Sequence, residues 1–283
     1  MGPRACARRH RGADVSHRRE LLVLLALAVY ASPVAWQLLT SITPSEELQQ
    51  GARLWPSHPT LASYAVVFTQ SPLPRALVNS IGIALTTTLL GTVLGTLGAY
   101  ALARLAVPGR RALVLGILMT TALPAIATVG PLYLTMRALG LRDTWGAVII
   151  AHTSIALPLM LWLMARFLRA LPRELEDAAF VDGAGRLQAL RHVVVPAAAP
   201  GIASAAVVTF LLSWNEFLFA YTFTATEASR TAPVALALFP GVFEIPWADV
   251  AAASVLTSAP PLLVVVLLQR ALVRGLLAGG VRE

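Results

Sequence analysis

Long runs of apolar residues alternate with shorter polar segments along almost the whole chain. Six runs each have close to the ~20 residues that a helix needs to cross the hydrocarbon core of a bilayer. We predict membrane spans at 21–42, 76–103, 112–136, 144–165, 198–223 and 250–270. The pattern therefore predicts an all-α polytopic membrane protein with six transmembrane helices.

The polar segments between the runs define the predicted domain organisation. It consists of a disordered basic cytoplasmic tail at 1–20, the first transmembrane helix at 21–42, an extracytoplasmic loop at 43–75, a five-helix core at 76–275 and a cytoplasmic C-terminal tail at 276–283. A cleaved signal peptide is the alternative for the first span. The apolar run continues through Trp36 to Leu39, past a short signal core, which favours a retained helix.

Composition supports a membrane protein, because 57% of the 283 residues are hydrophobic, only 13% are charged and the mean hydropathy is +0.71. The net charge of +8 would suggest a nucleic-acid partner for a soluble domain. Here the arginines flank apolar spans, so we predict no such partner. With both termini inside, seventeen arginines lie on the inner side and five on the outer side. Positively charged loops stay in the cytoplasm, so this asymmetry predicts cytoplasmic termini.

Proline and glycine interrupt several predicted spans. Prolines free backbone carbonyls, which neighbouring helices or a polar cavity must satisfy. They occur at Pro124, Pro131, Pro158, Pro260 and Pro261. Gly91 and Gly95 form a GxxxG pattern that permits close helix contact, but this pattern specifies no function.

The longest polar interruption in the second half of the chain lies at 174–196. Negative charge suits the positive N-terminal end of a helix, and it is supplied here by Glu174, Glu176 and Asp177. The pair Asp182-Gly183 tolerates left-handed backbone and is predicted to end that helix. Two short helices joined by a glycine elbow indicate a docking element at the membrane surface. An ordinary amphipathic loop is the alternative.

This loop resembles the cytoplasmic EAA loop of ABC-importer permeases. That motif has an acidic residue, Ala-Ala, three residues, Gly, nine residues and then aliphatic-x-aliphatic-Pro. It is matched without a gap by Asp177, Ala178, Ala179, Gly183, Val193, Val195 and Pro196. Asp177 stands where the family usually has Glu, and Val195 where Leu is usual. The flanking LPRELEDAAFVDGA and a later SWNEFLFA are similar to the carbohydrate-uptake branch, the maltose-type second permease subunit. The resemblance covers roughly Leu21 to the C-terminus.

The resemblance implies a non-catalytic permease subunit of a bacterial-type inner membrane, forming half of a sugar pathway. It implies four kinds of partner: a homologous second permease subunit, two cytoplasmic ABC ATPase subunits, an extracytoplasmic solute-binding protein and membrane lipid. No cofactor is expected on this chain, because the partner ATPase binds ATP and magnesium. The residues that the resemblance assigns to ATPase docking are Glu174, Glu176, Asp177, Ala178, Ala179, Asp182, Gly183, Ala184 and Pro196.

Motifs for independent chemistry are missing from the sequence. There is no GxxxxGK[ST] phosphate loop, no HExxH metal-ligand spacing and no GxSxG, and no metal site is predicted. His152 lies inside the fourth span, where a hydrogen-bonded interior histidine is favoured over a proton relay. Ser154 is nearby, but no acid accompanies them in that span. The single cysteine, Cys6, rules out an intrachain disulfide.

Glu216 is the one carboxylate well inside a predicted span. A charge there costs ~2.5–3.5 kcal/mol on insertion scales and usually faces a cavity or a partner. One aromatic stripe is expected from helical spacing at Trp214, Phe217 and Tyr221. Aromatic faces beside amides suit sugars, although core packing is the favoured interpretation of the stripe. With the family resemblance, we predict a translocation path at Trp214, Asn215, Glu216 and Phe217.

Three other functions remain open from the sequence. A polyamine or phosphate permease would share the EAA pattern. A membrane enzyme would need a catalytic constellation, and a secondary transporter would need coupled charges inside its spans.

Overall fold

The structure, a computed structural model, describes residues 4–51, 54–239 and 245–280. Within these ranges every regular element is helical and there is no β-strand, as predicted for an all-α protein. The chain divides into two compact units. One contains Met1–Thr69 with Pro240–Val255, and the other contains Gln70–Phe239 with Leu256–Glu283.

The first unit contains α1 (Arg4–Ser41), α2 (Ser45–Gln49) and most of α3 (Ala62–Gln70). The segment Arg19–Ser41 of α1 is long and apolar enough to cross a membrane. Beyond α1, the chain folds back, and the N–H of Thr60 donates to the carbonyl of Ile42 at 2.8 Å. The hydroxyls of Ser41 and Tyr64 lie 2.8 Å apart in a hydrogen bond. The predicted external loop thus contains ordered helices that pack on the end of α1.

The N-terminal segment differs from the predicted disordered tail, because α1 is helical from Arg4 onward. Once a helix exists, each further residue adds one hydrogen bond, so extending it is easier than nucleating it. No proline lies between Arg4 and the apolar span, and arginine and alanine are good helix formers. The helix therefore extends beyond the predicted span at 21–42. Residues 1–3 lie outside the described residues.

The second unit is built around α4 (Leu73–Arg104), α7 (Trp145–Ala170) and α11 (Ala199–Asn215). Helices α4 and α7 lie side by side along most of their length. Glycines allow this close approach: a Cβ on Gly95 would overlap the side chain of Met160, and one on Gly98 would overlap Leu161. Gly91 faces α11 instead, with Thr209 as its neighbour. The predicted close contact at the GxxxG pattern is therefore present.

Two buried hydrophobic clusters lie at opposite ends of the α4–α7 pair. One joins Tyr100 and Met164 to Leu190, which follows α7 in the chain. The other joins Ile83 and Val148 to a group from 219–234. The second group comes from α12 (Leu218–Phe223) and α13 (Ala232–Ala237). These clusters fix both ends of the central helices.

The third predicted span is a bent helix pair. It consists of α5 (Arg110–Thr121) and α6 (Ala125–Ala138), which meet at 96°. Proline fixes its own φ and disfavours helix in the residue before it, and Pro124 lies at this break as the N-cap of α6. Pro131 and Pro158 lie inside α6 and α7 without ending them.

The fifth predicted span also differs from a straight helix. Residues Arg186–Ala197 meet α11 at 79°. Helix α11 then ends at Asn215, because Glu216 has extended backbone with ψ 126°. The chain restarts as α12, so the predicted span at 198–223 is two helices. Within the part of the chain that the structure describes, four helices are long and apolar enough to cross a membrane, or up to six if each bent pair is one span.

The last helix, α14 (Trp247–Gly280), contains Pro260 and Pro261 and includes the candidate span Trp247–Arg270. It continues through most of the segment predicted as a C-terminal tail. Residues 281–283 lie outside the described residues.

Asp143, between α6 and α7, clamps the segment that joins α12 to α13. Its carboxylate accepts hydrogen bonds from the N–H groups of Ala225 and Thr226, at 2.7 and 3.0 Å, and from the hydroxyls of Thr226 and Ser229. Asp143 has φ +61°, a left-handed conformation that aspartate tolerates better than most residues. Burial alone would raise the pKa of Asp143. The hydrogen bonds from Ala225, Ser229 and Thr226 outweigh it and hold the pKa well below its usual range.

We expect Asp143→Ala to lower the free energy of unfolding by about 2 kcal/mol, the scale of hydrogen bonds to a charged group. Because the folded pKa is depressed, the stabilisation is complete above the unfolded pKa of ~4 and is lost as the pH falls below it. Thermal unfolding in detergent across this pH range measures both effects. Asp143→Asn is the control, since it keeps the shape and one acceptor but should lose the pH dependence. Equal unfolding midpoints for all three proteins would contradict this account of the clamp.

Candidate functional site

The segment after α7 forms two short helices joined by a glycine elbow, as the sequence predicts. Helix α8 (Glu174–Val181) is followed by α9 (Arg186–Ala189), a π-helical turn at Leu190–Val194 and α10 (Val195–Ala197). We call residues 172–196 the coupling loop. Its acidic N-terminal turn complements the helix dipole of α8.

Gly183 ends α8 in a Schellman motif. Its φ is +83°, in the left-handed region that favours glycine. The N–H of Ala184 donates to the carbonyl of Ala179 at 2.9 Å, and the N–H of Gly183 donates to Phe180 at 3.1 Å. The amide of Gly185 then donates to the side chain of Gln188 at 2.8 Å, which starts α9. The elbow is thus set by local hydrogen bonds and one special φ.

The coupling loop presents an apolar surface surrounded by charge. We define the docking face as four large apolar residues, whose exposed fractions run from 41% to 87%. They are Leu175, Phe180, Val181 and Leu187. Most of the residues assigned from the EAA resemblance are also exposed, namely Glu174, Asp177, Ala178, Asp182, Gly183 and Pro196. Ala179 and Ala184 are half-buried. Large apolar side chains exposed on an ordered polar loop suit a protein contact site.

Glu176 is the exception among the predicted docking residues, because it is only 5% exposed and faces the end of α4. It forms an ion pair with Arg104 and accepts a hydrogen bond from the hydroxyl of Tyr100 at 3.1 Å. Arg104 also donates to the carbonyl of Leu171 at 2.9 Å. Glu176 therefore supports the coupling loop from inside and is not part of the surface it presents.

A second polar cluster lies between α7 and α11. His152 is 2% exposed, as expected for a hydrogen-bonded interior histidine. Its Nδ1 lies 2.8 Å from the hydroxyl of Ser213, and its Nε2 lies 2.9 Å from the carboxylate of Glu216. No acid lies in the same predicted span as His152, and the acid is instead Glu216, the residue that follows α11. Ser154 takes no part, because its hydroxyl donates to its own helix at Ala151.

Glu216 also caps the helix that follows it. Its carboxylate accepts the N–H groups of Phe219 at 2.9 Å and Ala220 at 3.1 Å. These are orphan donors at the start of α12, which would otherwise lack partners. The carboxylate of Glu216 thus provides acceptors for the free N–H groups at the helix break and connects the break to His152.

The cluster has the residue types of a hydrolytic triad, but its serine is closed to solvent. In serine hydrolases the histidine nitrogen nearest the serine is the general base, and the acid orients the other nitrogen from behind. Here Ser213 is only 6% exposed, and Glu216 is engaged by two backbone amides. The geometry is that of an interhelical brace.

The structure separates the predicted aromatic stripe. Trp214 is 3% exposed and stacks on Phe210 with ring centroids 5.8 Å apart, so it is a core residue. Phe217 is 40% exposed and stacks on Tyr221 at 5.4 Å. The stripe assumed a continuous helix, and the extended backbone at Glu216 turns the two parts to different surroundings. Trp214 therefore packs in the core and is not part of the surface that we propose for the path.

Asn215 is exposed at the end of α11, and its amide nitrogen donates to Leu211 of the same helix at 2.8 Å. Phe217 and Tyr221, on the other side of the helix break, are exposed as well. Among the described residues, no group of three or more His, Cys, Asp or Glu side chains could hold a metal ion.

Sequence reasoning missed three residues that matter for these sites: Tyr100, Arg104 and Ser213. A tyrosine and an arginine one turn apart at the inner end of a span are a sign of an interface anchor. That spacing at Tyr100 and Arg104 could have drawn attention to the end of α4. Nothing in the local sequence marks Ser213 as a partner of His152.

Comparison with known proteins decides the family. A family model described as the binding-protein-dependent transport system inner membrane component matches residues 88–277. The chain belongs to this family. The resemblance drawn from the coupling loop is thus confirmed, and the chain is a permease subunit without catalysis of its own.

Named relatives of this permease include sugar transport components. It is 42% identical over 252 residues to the trehalose transport system permease protein SugB of Mycobacterium tuberculosis, covering 88% of this chain and 92% of that protein. It is 35% identical over 271 residues to the trehalose/maltose transport system permease protein MalG of Thermococcus litoralis, covering 94% and 97%.

The fold also has a solved counterpart. A bacterial ABC transporter involved in the import of the acidic polysaccharide alginate contains a chain that matches this permease with a TM-score of 0.79. The two are 22% identical, and the match covers 91% of this chain and 96% of that one. At this identity the similarity shows the fold alone.

Proposed function

We propose that this permease forms half of the membrane pathway of an ATP-driven importer for a sugar. One relative described above is named for trehalose transport and the other for trehalose/maltose transport. Because these sugars are neutral disaccharides, we infer a small neutral oligosaccharide as the substrate class. An extracytoplasmic binding protein would deliver the sugar, which fits a family named for binding-protein-dependent transport.

The coupling loop is the proposed docking element for a cytoplasmic ATPase. The observation that carries this proposal is the docking face, in which large apolar residues such as Val181, 87% exposed, stand on a loop of defined geometry. Exposed acids next to these apolar residues, such as Asp177, would pair with basic groups on the partner. The ATPase would bind ATP and magnesium, and this chain would bind neither.

The proposed arrangement requires a second permease subunit, two ATPase subunits and both termini in the cytoplasm. The excess of arginine on the side of the coupling loop supports this orientation. Closure of the ATPases would move the coupling loops, and the attached spans would alternate between outward and inward access.

The exposed surface at the α11–α12 break is the proposed part of the path that this chain contributes. The amide oxygen of Asn215 is available for a sugar hydroxyl, and the Phe217–Tyr221 stack offers an apolar face for a sugar ring. Glu216 would hold this surface in place through its contacts with His152 and α12.

We expect Leu187→Asp to abolish co-purification with the partner ATPase, because it places a desolvated charge at the centre of an apolar contact. Leu187 is 72% exposed, so the substitution should leave the fold intact. Leu139→Asp is the matched control: Leu139 is 62% exposed and follows α6, far along the chain from the coupling loop. Pull-down through a tag on the ATPase measures the outcome. Equal recovery of both variants would exclude the coupling loop as the docking element.

A further inference from the structure

We propose that Arg104, Glu176 and Tyr100 form a rigid link that transmits movement of the coupling loop to α4. The three are positioning residues, and the proposal rests on the proposed docking of an ATPase at the coupling loop. It goes further by identifying which membrane helix the loop drives and through which side chains.

The coupling loop has two different connections to the central helices. It continues directly from α7 through residues 171–173, so α7 follows it through the backbone. Helix α4 ends at Arg104, about seventy residues before the coupling loop. The coupling loop can therefore act directly on α4 only through side-chain contacts. α4 is also the helix that packs most extensively on α7 and α11. Movement applied at the end of α4 would therefore also act on α7 and α11.

The link is short and buried. The side chains of Arg104 and Glu176 are each 7% exposed, and they form an ion pair. Tyr100, one turn before Arg104, donates its hydroxyl to the second oxygen of the same carboxylate. Both oxygens of Glu176 are therefore fixed to α4, which prevents α8 from rotating about a single contact.

The guanidinium of Arg104 also contacts the end of α7. One of its Nη atoms donates to the carbonyl of Leu171, the C-cap residue of α7. Arg104 thus connects the ends of α4 and α7 to the start of α8. Planar guanidinium groups present several donors in fixed directions, which suits such a junction better than a lysine would.

Apolar packing alone would not hold the same geometry. Leu190 and Val194, from the far end of the coupling loop, pack against Tyr100 in a buried cluster. Apolar contacts resist separation but carry no direction. The ion pair, together with the hydrogen bonds from Tyr100 to Glu176 and from Arg104 to Leu171, restrains both distance and orientation. A buried ion pair is also, in general, no more stabilising than well-packed apolar residues of similar volume. Stability alone is therefore a poor account of why charge is buried here.

The test replaces the ion pair without creating an unpaired charge. The double variant Arg104→Met with Glu176→Leu keeps the volume and removes the directional contacts. Its complexes are isolated through a tag on the ATPase and reconstituted with the binding protein, so every complex assayed contains a docked chain. We expect sugar uptake per ATP hydrolysed to fall by roughly tenfold, within the range typical of coupling between sites. The exchanged pair, Arg104→Glu with Glu176→Arg, should recover part of this loss.

Two results would overturn the link. One is wild-type uptake per ATP in the apolar double variant, which would mean that the ion pair has only a packing role. The other is a complete failure of that variant to assemble while the wild type assembles, which would mean that the pair is needed for docking. Tyr100→Phe is the milder variant, since it removes one hydroxyl, and it should give an intermediate ratio. If the wild type itself recovers no ATPase, the proposed function fails, and this outcome is distinct from a failure of the link.

Discussion

Glu216→Ala is expected to lower the free energy of unfolding by about 3 kcal/mol, the upper end of the range for hydrogen bonds to a charged group. The substitution leaves the N–H groups of Phe219 and Ala220 without their capping acceptor. It also removes one of the two partners of His152, which is almost fully buried. Thermal unfolding and the yield of folded protein in detergent measure the effect.

Two variants separate the structural role of Glu216 from a role in transport. Glu216→Gln keeps the shape and one acceptor oxygen, so we expect about half of the loss in stability. Asn215→Ala, at the neighbouring exposed position, removes only a bond within its own helix and should leave the unfolding midpoint unchanged. If Asn215 lies on the path, its variant should reduce sugar uptake instead. Wild-type stability in Glu216→Ala would show that the brace between α7 and α11 has no energetic weight.

Gly183→Val is expected to weaken ATPase binding by about tenfold or more. At φ +83° an L-residue is strained by ~1–2 kcal/mol, and a β-branched residue is strained further. No atom lies within 4 Å of the position a Cβ would take, so the cost is in the backbone alone. The coupling loop can relieve this strain by leaving the conformation that binds the ATPase. Binding must then restore that conformation, so the strain energy is lost from the binding free energy. Each ~1.4 kcal/mol lost in this way weakens the affinity for the ATPase tenfold.

Gly185→Val is the matched control for Gly183→Val. Gly185 is two residues further along the same loop, but its φ is −74° and its backbone is extended, which valine adopts readily. A Cβ there would make an ordinary contact with Gln188 at 3.6 Å. The two variants add the same side chain to the same loop, so a difference in ATPase recovery isolates the elbow. Similar recovery of the ATPase with both variants would show that the left-handed conformation at Gly183 is not needed for ATPase binding.

Features that depend on neighbouring residues were predictable from the sequence. The end of α8 at Gly183 follows from an Asp-Gly pair after an amphipathic turn, and the structure has the expected left-handed φ. The break at Pro124 follows from the backbone chemistry of proline. Apolar runs also predicted the helical class, although composition alone could not show that the third run is bent by 96° or that the fifth run is divided at Glu216.

Features that depend on distant residues were not predictable. Glu176 had the same sequence context as the exposed acids beside it, yet its partner Tyr100 is 76 residues away. Glu216 was assigned to a path because it is charged within an apolar run, and its bond to His152 spans 64 residues. The apolar period continues through Glu216, so it gave no sign that this side chain ends one helix and caps the next. Only tertiary packing determines which polar residue in a span becomes a brace.

In the proposed function, this permease imports a sugar with energy from a separate ATPase. The experiment measures uptake of labelled trehalose or maltose into vesicles that contain the permease with its co-purified partners and ATP inside. We predict accumulation that requires both ATP and the binding protein and that Leu187→Asp abolishes. Uptake that proceeds without ATP, driven instead by an ion gradient across the vesicle membrane, would contradict it.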